Sequence, residues 1–263
     1  MTTSPLLGAV IGDIIGSRFE WNNVKTTEFE LYHPACDFTD DSVMTFAVAD
    51  ALLHGRPYGP TMHTYGRAYP GRGYGGNFRK WLLDDDPEPY DSYGNGSAMR
   101  VSPVGWAFQT LEETLRAARE TAMPSHDHPE GIKGAEATAA AVFLARTGAS
   151  KADIGGYITA AFGYDLSQSL DDLRPDYRFD VTCQGSVPPA VRAFLESSDY
   201  ESAIRLAISI GGDSDTLACI AGGIAAAFYG AIPAEAISFA RNILPAPLNE
   251  LADRFATMFV PEA

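Results

Sequence analysis

The chain has 263 residues, with 34 Asp+Glu against 19 Lys+Arg and a formal net charge of −15. That excess excludes partners gripped broadly through phosphate charge, because counterion release from a nucleic acid needs a basic surface, and it disfavours an anionic membrane surface for the same reason. With 46% hydrophobic and 20% charged residues, the composition carries enough core material to predict one globular domain over residues 1–263 rather than a disordered chain.

Most segments repeat at helical period and few alternate as strands do, so the predicted class is all-α. The start, MTTSPLLGAVIGD, has no basic stretch ahead of its apolar residues and reaches Asp13 early. It reads as a first helix over 6–19 rather than a signal peptide. Gly8, Gly12 and Gly16 recur every four residues there, a flat stripe for close helix packing. Helices over 42–53 and 77–83 follow, and the Gly- and Pro-rich stretches 55–76 and 84–96 read as loops of the kind that carry binding groups. Further helices are predicted over 106–122, 129–146, 151–162, 187–196, 200–208, 215–229, 233–243 and 248–259, with start signals at Ser150, Asp199 and Pro233. The apolar run 217–232 falls short of the ~20 residues of a membrane span and reads as a buried helix. Cys36, Cys183 and Cys219 are widely spaced, which argues against a disulfide framework and a thiolate zinc site. A cytoplasmic location is the expectation from these features.

Two acidic clusters open helices whose bodies are nearly uncharged: Thr39-Asp40-Asp41-Ser42 and Gly211-Gly212-Asp213-Ser214-Asp215-Thr216. Helix capping is the plain explanation, since Asp, Ser and Thr accept hydrogen bonds from first-turn N–H groups. Capping needs one side chain, however, and paired carboxylates beside an apolar helix repel each other unless a cation or a proton compensates them. The candidate ligands are all oxygens, which favours a hard ion such as Mg²⁺, Mn²⁺ or Ca²⁺ over zinc. Should the clusters meet, their carboxylates and hydroxyls would form a two-metal site.

The stretch Ser92-Tyr93-Gly94-Asn95-Gly96 reads as a tight turn entering a short helix, and its glycines would let the backbone approach a ligand such as a diphosphate. A plain turn is the commoner meaning of such a sequence. For Arg100 a phosphate contact competes with an intramolecular carboxylate pair, the usual fate of a helix arginine. His126 and His128 flank Asp127; local hydrogen bonding and, for His128, capping of the next helix are the default roles. Tyr69, Tyr74, Phe78, Tyr90 and Tyr93 are aromatic candidates for stacking on a base, with core packing as the default for each.

The segments GDIIGSRFE (12–20), FTDDS (38–42), YGNGSAMR (93–100), SHDHPEGIKGA (125–135), CQGSVPPA (183–190) and ISIGGDSDTLACIAGGIAAAFYG (208–230), in this order, resemble the ADP-ribosylglycohydrolase family. That family includes dinitrogenase reductase-activating glycohydrolases and eukaryotic ADP-ribosylhydrolases. The resemblance implies a compact, single-domain orthogonal bundle of helices with two Mg²⁺ or Mn²⁺ ions at the base of an ADP-ribose cleft. It implies Thr39, Asp40, Asp41, Asp213, Asp215 and Thr216 as metal ligands, with Glu20 contacting a metal or gating the cleft. It also implies Ser92, Tyr93, Gly94, Asn95 and Gly96 around the diphosphate, and His126 near the ribose beside the scissile bond. Asp13 is expected to support the site from behind.

The expected reaction is hydrolysis of the bond between C1 of the distal ribose and an acceptor, with an ADP-ribosylated protein or small molecule as substrate and ADP-ribose as product. Asp40 or Asp41 is the expected base or proton carrier, with Glu20 next. Two other readings stay open at this point: a metal-dependent nucleotide phosphohydrolase, since a two-metal carboxylate site also suits phosphoryl transfer, and a catalytically silent ADP-ribose-binding member.

Overall fold

The computed structural model describes residues 4–260. The expected start helix therefore lies within it, while residues 1–3 of the start and 261–263 of the expected domain lie outside the described residues. In chain order the helices are α1 (Leu7–Gly16), α2 (Asp40–His54), α3 (Tyr58–Ala68), α4 (Gly76–Leu83), α5 (Gly96–Met99), α6 (Ser102–Ala107), α7 (Leu111–Ala122), α8 (Pro129–Arg146), α9 (Lys151–Phe162), α10 (Leu170–Leu173), α11 (Cys183–Glu196), α12 (Tyr200–Ser209), α13 (Ser214–Tyr229), α14 (Ala234–Ile243) and α15 (Ala246–Phe259). A 3₁₀ turn, Ser17–Phe19, extends α1. Among the described residues there is no β-strand, only an antiparallel bridge between Gly94 and Thr182, and no helix is long and apolar enough to cross a membrane.

The all-α class follows from these elements, and the centre of the core is the pair α1 and α13, which share the most extensive helix–helix contact. Both are buried along nearly their whole length. The glycine stripe is the reason they approach so closely. A Cβ at Gly12 would lie 2.1 Å from Ala218 O, and one at Gly16 would lie 2.5 Å from Asp215 Cα. Gly16 thereby lets the start of α13, with its carboxylates, rest directly on the end of α1.

Differences from the expected elements have local causes. The helix expected over 106–122 is interrupted, because Phe108 and Thr110 are extended and Thr110 forms a capping box with Glu113 that starts α7 afresh. The loop expected over 55–76 contains α3, whose Met62 is buried and whose Pro57 and Pro60 lie at its opening end, where proline is tolerated. α11 starts at Cys183 and keeps Pro188 and Pro189 inside it; Thr182 caps it by accepting from Gly185 N. Proline at 189 leaves the carbonyl of Gly185 without its helical donor, and Tyr177 Oη donates to that oxygen at 2.9 Å. α10 was not expected from the sequence. The three cysteines are buried and unpaired.

Candidate active site

The floor of the site is assembled by Asp13 on α1. Its carboxylate accepts from Thr39 N at 3.0 Å, Thr39 Oγ1 at 2.6 Å, Ser42 N at 3.1 Å and Ser42 Oγ. These bonds clamp the turn that opens α2. Thr39 also caps α2 by accepting from Asp41 N at 3.2 Å. Capping of α2 therefore uses the threonine hydroxyl and leaves the carboxylates of Asp40 and Asp41 for something else. At the start of α13, Asp213 makes no side-chain cap bond; it accepts from Asn95 Nδ2 at 2.7 Å instead.

The two acidic clusters meet. Thr216 Oγ1, on α13, donates to Asp41 Oδ2, on α2, at 3.3 Å. Glu20 is brought to the same place by Asn23, whose Nδ2 donates to Phe19 O, Glu20 O and Gly212 O while its Oδ1 accepts from Gly212 N at 2.8 Å. Gly211 and Gly212 both have positive φ, and a Cβ at Gly212 would meet the Tyr177 ring at 2.4 Å, so that turn admits only glycine there. As a result Glu20, Asp213 and Asp215 each offer a carboxylate oxygen within 4.8 Å of the others.

No cationic side chain compensates this group: none of the ion pairs among the described residues involves Asp13, Glu20, Asp40, Asp41, Asp213 or Asp215. Asp41 Oδ1 is buried with no hydrogen-bond partner. Burial, and then the neighbouring carboxylates, push Asp40, Asp41 and Asp215 well above the ordinary range. Burial followed by the charges of Asp213 and Asp13 pushes half-buried Glu20 up to about 7. For Asp13, burial outweighs its four hydrogen bonds and raises it to about 6. An orphaned carboxylate oxygen among crowded, oxygen-only donors fits a hard divalent cation, which would relieve both the repulsion and the missing partner.

All of these carboxylates except Asp13 line a cavity of about 350 Å³, within the usual size range of small-molecule sites. Of the residues singled out from the sequence, Glu20, Asp40, Asp41, Ser92, Gly94, Asn95, Gly96, His126, Asp213, Asp215 and Thr216 line it. Two expected contacts do not. Thr39 turns its hydroxyl to Asp13, and the exposed Tyr93 ring packs edge-on against His128 outside the cavity, with ring centroids 5.2 Å apart. Among the aromatic candidates, Phe78 and Tyr90 reach the cavity, and Tyr69 and Tyr74 do not.

The 92–96 turn is held from outside. Asn95 N donates to Val181 O at 2.7 Å, Cys183 N donates to Tyr93 O at 2.9 Å, and Gly94 N donates to Ser92 Oγ at 3.2 Å. Two of the backbone N–H groups expected to face a ligand are thus already committed within the protein. Beneath the turn, Cys183 Sγ lies 3.1 Å from Gly94 O, and burial pushes its thiol up to about 12, which makes it packing rather than a nucleophile. His128 caps α8 by accepting from Glu130 N at 3.1 Å. Arg100 does not form the expected carboxylate pair: it is buried, lines the cavity and bonds to Thr121 O and Ser125 Oγ instead.

The sequence reading missed part of the wall. Trp21 and Phe179 stack with ring centroids 5.0 Å apart, joining the segment after Glu20 to the segment before α11, and both line the cavity. Val181, Met44, Met99 and Gly73 also contribute. No periodicity marks residues of this kind, because they sit in irregular backbone or face a cavity from helices whose other sides are also buried.

The sequence profile of the ADP-ribosylglycohydrolase family matches residues 3–262. ADP-ribosylhydrolase ARH3 of Mus musculus is 27% identical, covering 86% of this chain and 82% of its own length. ADP-ribosylarginine hydrolase Tri1 of Pseudomonas putida is 24% identical, covering 86% of this chain and 69% of its own length. A solved structure titled ADP-ribosylglycohydrolase-related protein complex superposes with a TM-score of 0.77 at 24% identity, covering 98% of this chain and 97% of that one, a likeness of fold. With its two acidic turns joined across α2 and α13 and the profile matching nearly end to end, the chain belongs to the ADP-ribosylglycohydrolase family.

Proposed function

We propose that the protein removes ADP-ribose from a modified acceptor by hydrolysing the glycosidic bond at C1 of the distal ribose. The observation that carries the reading is the meeting of two uncompensated acidic turns in a cavity that also holds the glycine turn 92–96. Family membership and the names of the relatives at 27% and 24% identity support it.

In this reading Glu20, Asp213 and Asp215 hold one divalent cation, and Asp40, Asp41 and Thr216 hold a second, with Mg²⁺ or Mn²⁺ as the expected ion. The chemistry such ions supply is Lewis-acid polarisation of oxygens at the reacting ribose. The protein's own groups do the rest. Asn95 holds Asp213 in place through its amide while its turn faces the ligand, giving one residue contact with both halves of the site. Ser92, Gly94 and Gly96 form the surface against which the diphosphate lies, and Phe78 or Tyr90 offers a ring to the adenine.

Three carboxylates are candidate proton carriers. Asp41 has one oxygen on the Thr216 hydroxyl and one without a partner, an arrangement suited to a ligand. Glu20 is half-buried and lines the cavity, where a carboxylate oxygen not held by a cation is open to exchange a proton with water. Asp40 Oδ1 faces Gly73, where the missing side chain leaves the space open: a Cβ there would come within 3.1 Å of it. Asp41 is accordingly a fixed ligand in this reading, with Asp40 and Glu20, both only partly buried, as the proton carriers.

Product analysis tests the reading. Incubation with arginine-, serine- and nucleic-acid-linked ADP-ribose in Mg²⁺ is expected to release free ADP-ribose from at least one of them. Release of AMP or inorganic phosphate instead would assign phosphoryl chemistry to the same carboxylates. Tight ADP-ribose binding without turnover of any of the three would leave a binding protein.

A further inference from the structure

The Arg100 guanidinium is 1% exposed, faces the cavity and has no carboxylate partner. Its hydrogen bonds all come from Nη2, which donates to Thr121 O at 2.7 Å, at the last turn of α7, and to Ser125 Oγ at 3.0 Å. Nε is buried without a partner. Ser125 Oγ in turn lies 2.8 Å from His126 Nδ1. The other side of the imidazole is packed on the glycine turn: a Cβ at Gly96 would lie 2.9 Å from His126 Nε2, and one at Gly94 would lie 3.5 Å from it.

The direction of this chain of bonds follows from letting each donor find an acceptor. A guanidinium has donors only, so the Ser125 oxygen accepts from Arg100. The serine has a single hydroxyl proton, and among the described residues its bonded neighbours are Arg100, which can only donate, and His126 Nδ1, which can accept. The arrangement that uses this proton leaves Nδ1 unprotonated and puts the ring proton of the neutral imidazole on Nε2, the atom beside Gly94 and Gly96, which takes no hydrogen bond from the described residues.

We propose that Arg100 and Ser125 are positioning residues that fix His126 in its Nε2–H tautomer, so that it presents a hydrogen-bond donor to an acceptor oxygen of a ligand lying on the glycine turn. Given the function proposed above, that oxygen belongs to the diphosphate or ribose of ADP-ribose. Electrostatics supports the geometry. Burial, and then the Arg100 charge, hold His126 well below its ordinary value, so the ring stays neutral. The groups facing it are the Arg100 guanidinium and the Tyr90 ring, whose centroid is 6.0 Å away and whose hydroxyl burial pushes up to about 12. Neither one supplies a proton or a negative charge that would favour imidazolium. The cation that appears wasted inside the protein thus acts through its serine: it orients one hydroxyl, and the hydroxyl orients the histidine.

The tautomer is read directly on the free protein by ¹⁵N NMR of histidine-labelled samples, which separates protonated from unprotonated ring nitrogens. The wild type is expected to show one His126 species with Nε2 protonated and Nδ1 bare. Arg100→Gln, which gives Ser125 an alternative acceptor, and Ser125→Ala are expected to populate both tautomers, and each is expected to weaken ADP-ribose binding by about tenfold, the effect of one hydrogen bond to a charged group. Protonated Nδ1 or a mixture in the wild type would overturn the proposal, as would wild-type spectra and affinity in both variants. Ser125→Ala removes a single buried oxygen and keeps the result interpretable if Arg100→Gln does not fold. Failure of the wild type to bind ADP-ribose would remove the proposed function, while the free-protein spectrum would still decide the tautomer.

Discussion

The floor and the wall of the cavity solve opposite problems. Among the described residues, the floor gathers Glu20, Asp40, Asp41, Asp213 and Asp215 with no cationic side chain in an ion pair with them, and the wall buries Arg100 with no carboxylate partner. Carboxylates can relieve crowding by taking up protons, and their raised pKa values record that response. An arginine cannot; burial lowers Arg100 only to about 10, so it stays charged at neutral pH and must be satisfied by Thr121 O and Ser125 Oγ. The floor is thus a site whose charge adapts to what is bound, and the wall is a fixed field. A ligand that is anionic at one end and bridged by cations at the other complements both.

The comparison is broken most severely at the floor. Asp215→Ala is expected to lower turnover by more than about 100-fold, beyond what loss of an indirect support to a metal ligand costs. Steady-state kinetics with Mg²⁺ in excess measures this, and an activity within a few-fold of wild type would remove Asp215 from the ligand set. Asp13→Asn comes next, since Asp13 lies outside the cavity lining and holds Thr39 and Ser42 through four hydrogen bonds. Its expected effect is a roughly 10-fold weaker apparent Mg²⁺ affinity, read from the metal dependence of turnover, with part of the lost rate recovered at high Mg²⁺.

Proton and cation should compete at the floor. Glu20 rises from an ordinary value of 4.5 to about 7 in the folded protein, so without metal its contribution to stability is complete below 4.5 and is lost as pH rises through about 7. In the proposed function, added Mg²⁺ binds the same deprotonated oxygens. The increase in melting temperature caused by Mg²⁺ is therefore expected to be larger at about pH 8 than at about pH 5.5. An equal shift at both values would show that the ion binds elsewhere. The smallest effect belongs to the rim: Trp21→Ala removes an exposed ring stacked on Phe179 and should change the affinity for free ADP-ribose by no more than about twofold. A loss approaching that of Asp13→Asn, measured by calorimetry, would move the base-stacking surface from Phe78 and Tyr90 to the rim.

The floor was legible in the sequence because its logic is local and chemical. Paired carboxylates before an uncharged helix are expensive, and a single cap does not explain them; the structure shows the cap assigned to Thr39 and the acids left over. The helices carrying the floor were legible for a related reason, since the stripe of Gly8, Gly12 and Gly16 announces a close neighbour, although α13 as that neighbour is a matter of tertiary packing. The wall was less legible. For Arg100 the sequence left a phosphate contact and a carboxylate pair open, because its partners, a carbonyl of α7 and the hydroxyl of Ser125, carry no charge signal. Trp21, Phe179 and Val181 lie in irregular backbone, where no period marks the inward face. The break between α6 and α7 was marked by Thr110 and Glu113, a capping pair that a reading by apolar period passes over.

The measurement closest to the central claim is turnover of an ADP-ribosylated peptide by the same preparation before chelation, after it, and after Mg²⁺ or Mn²⁺ is restored. Release of ADP-ribose that is lost with the chelator, regained with the ion and absent at every stage in an Asp41→Ala, Asp215→Ala double variant is the expected result. Release that persists in the chelated wild type or in the double variant would contradict the assignment of the two acidic turns as a cation-dependent hydrolytic centre.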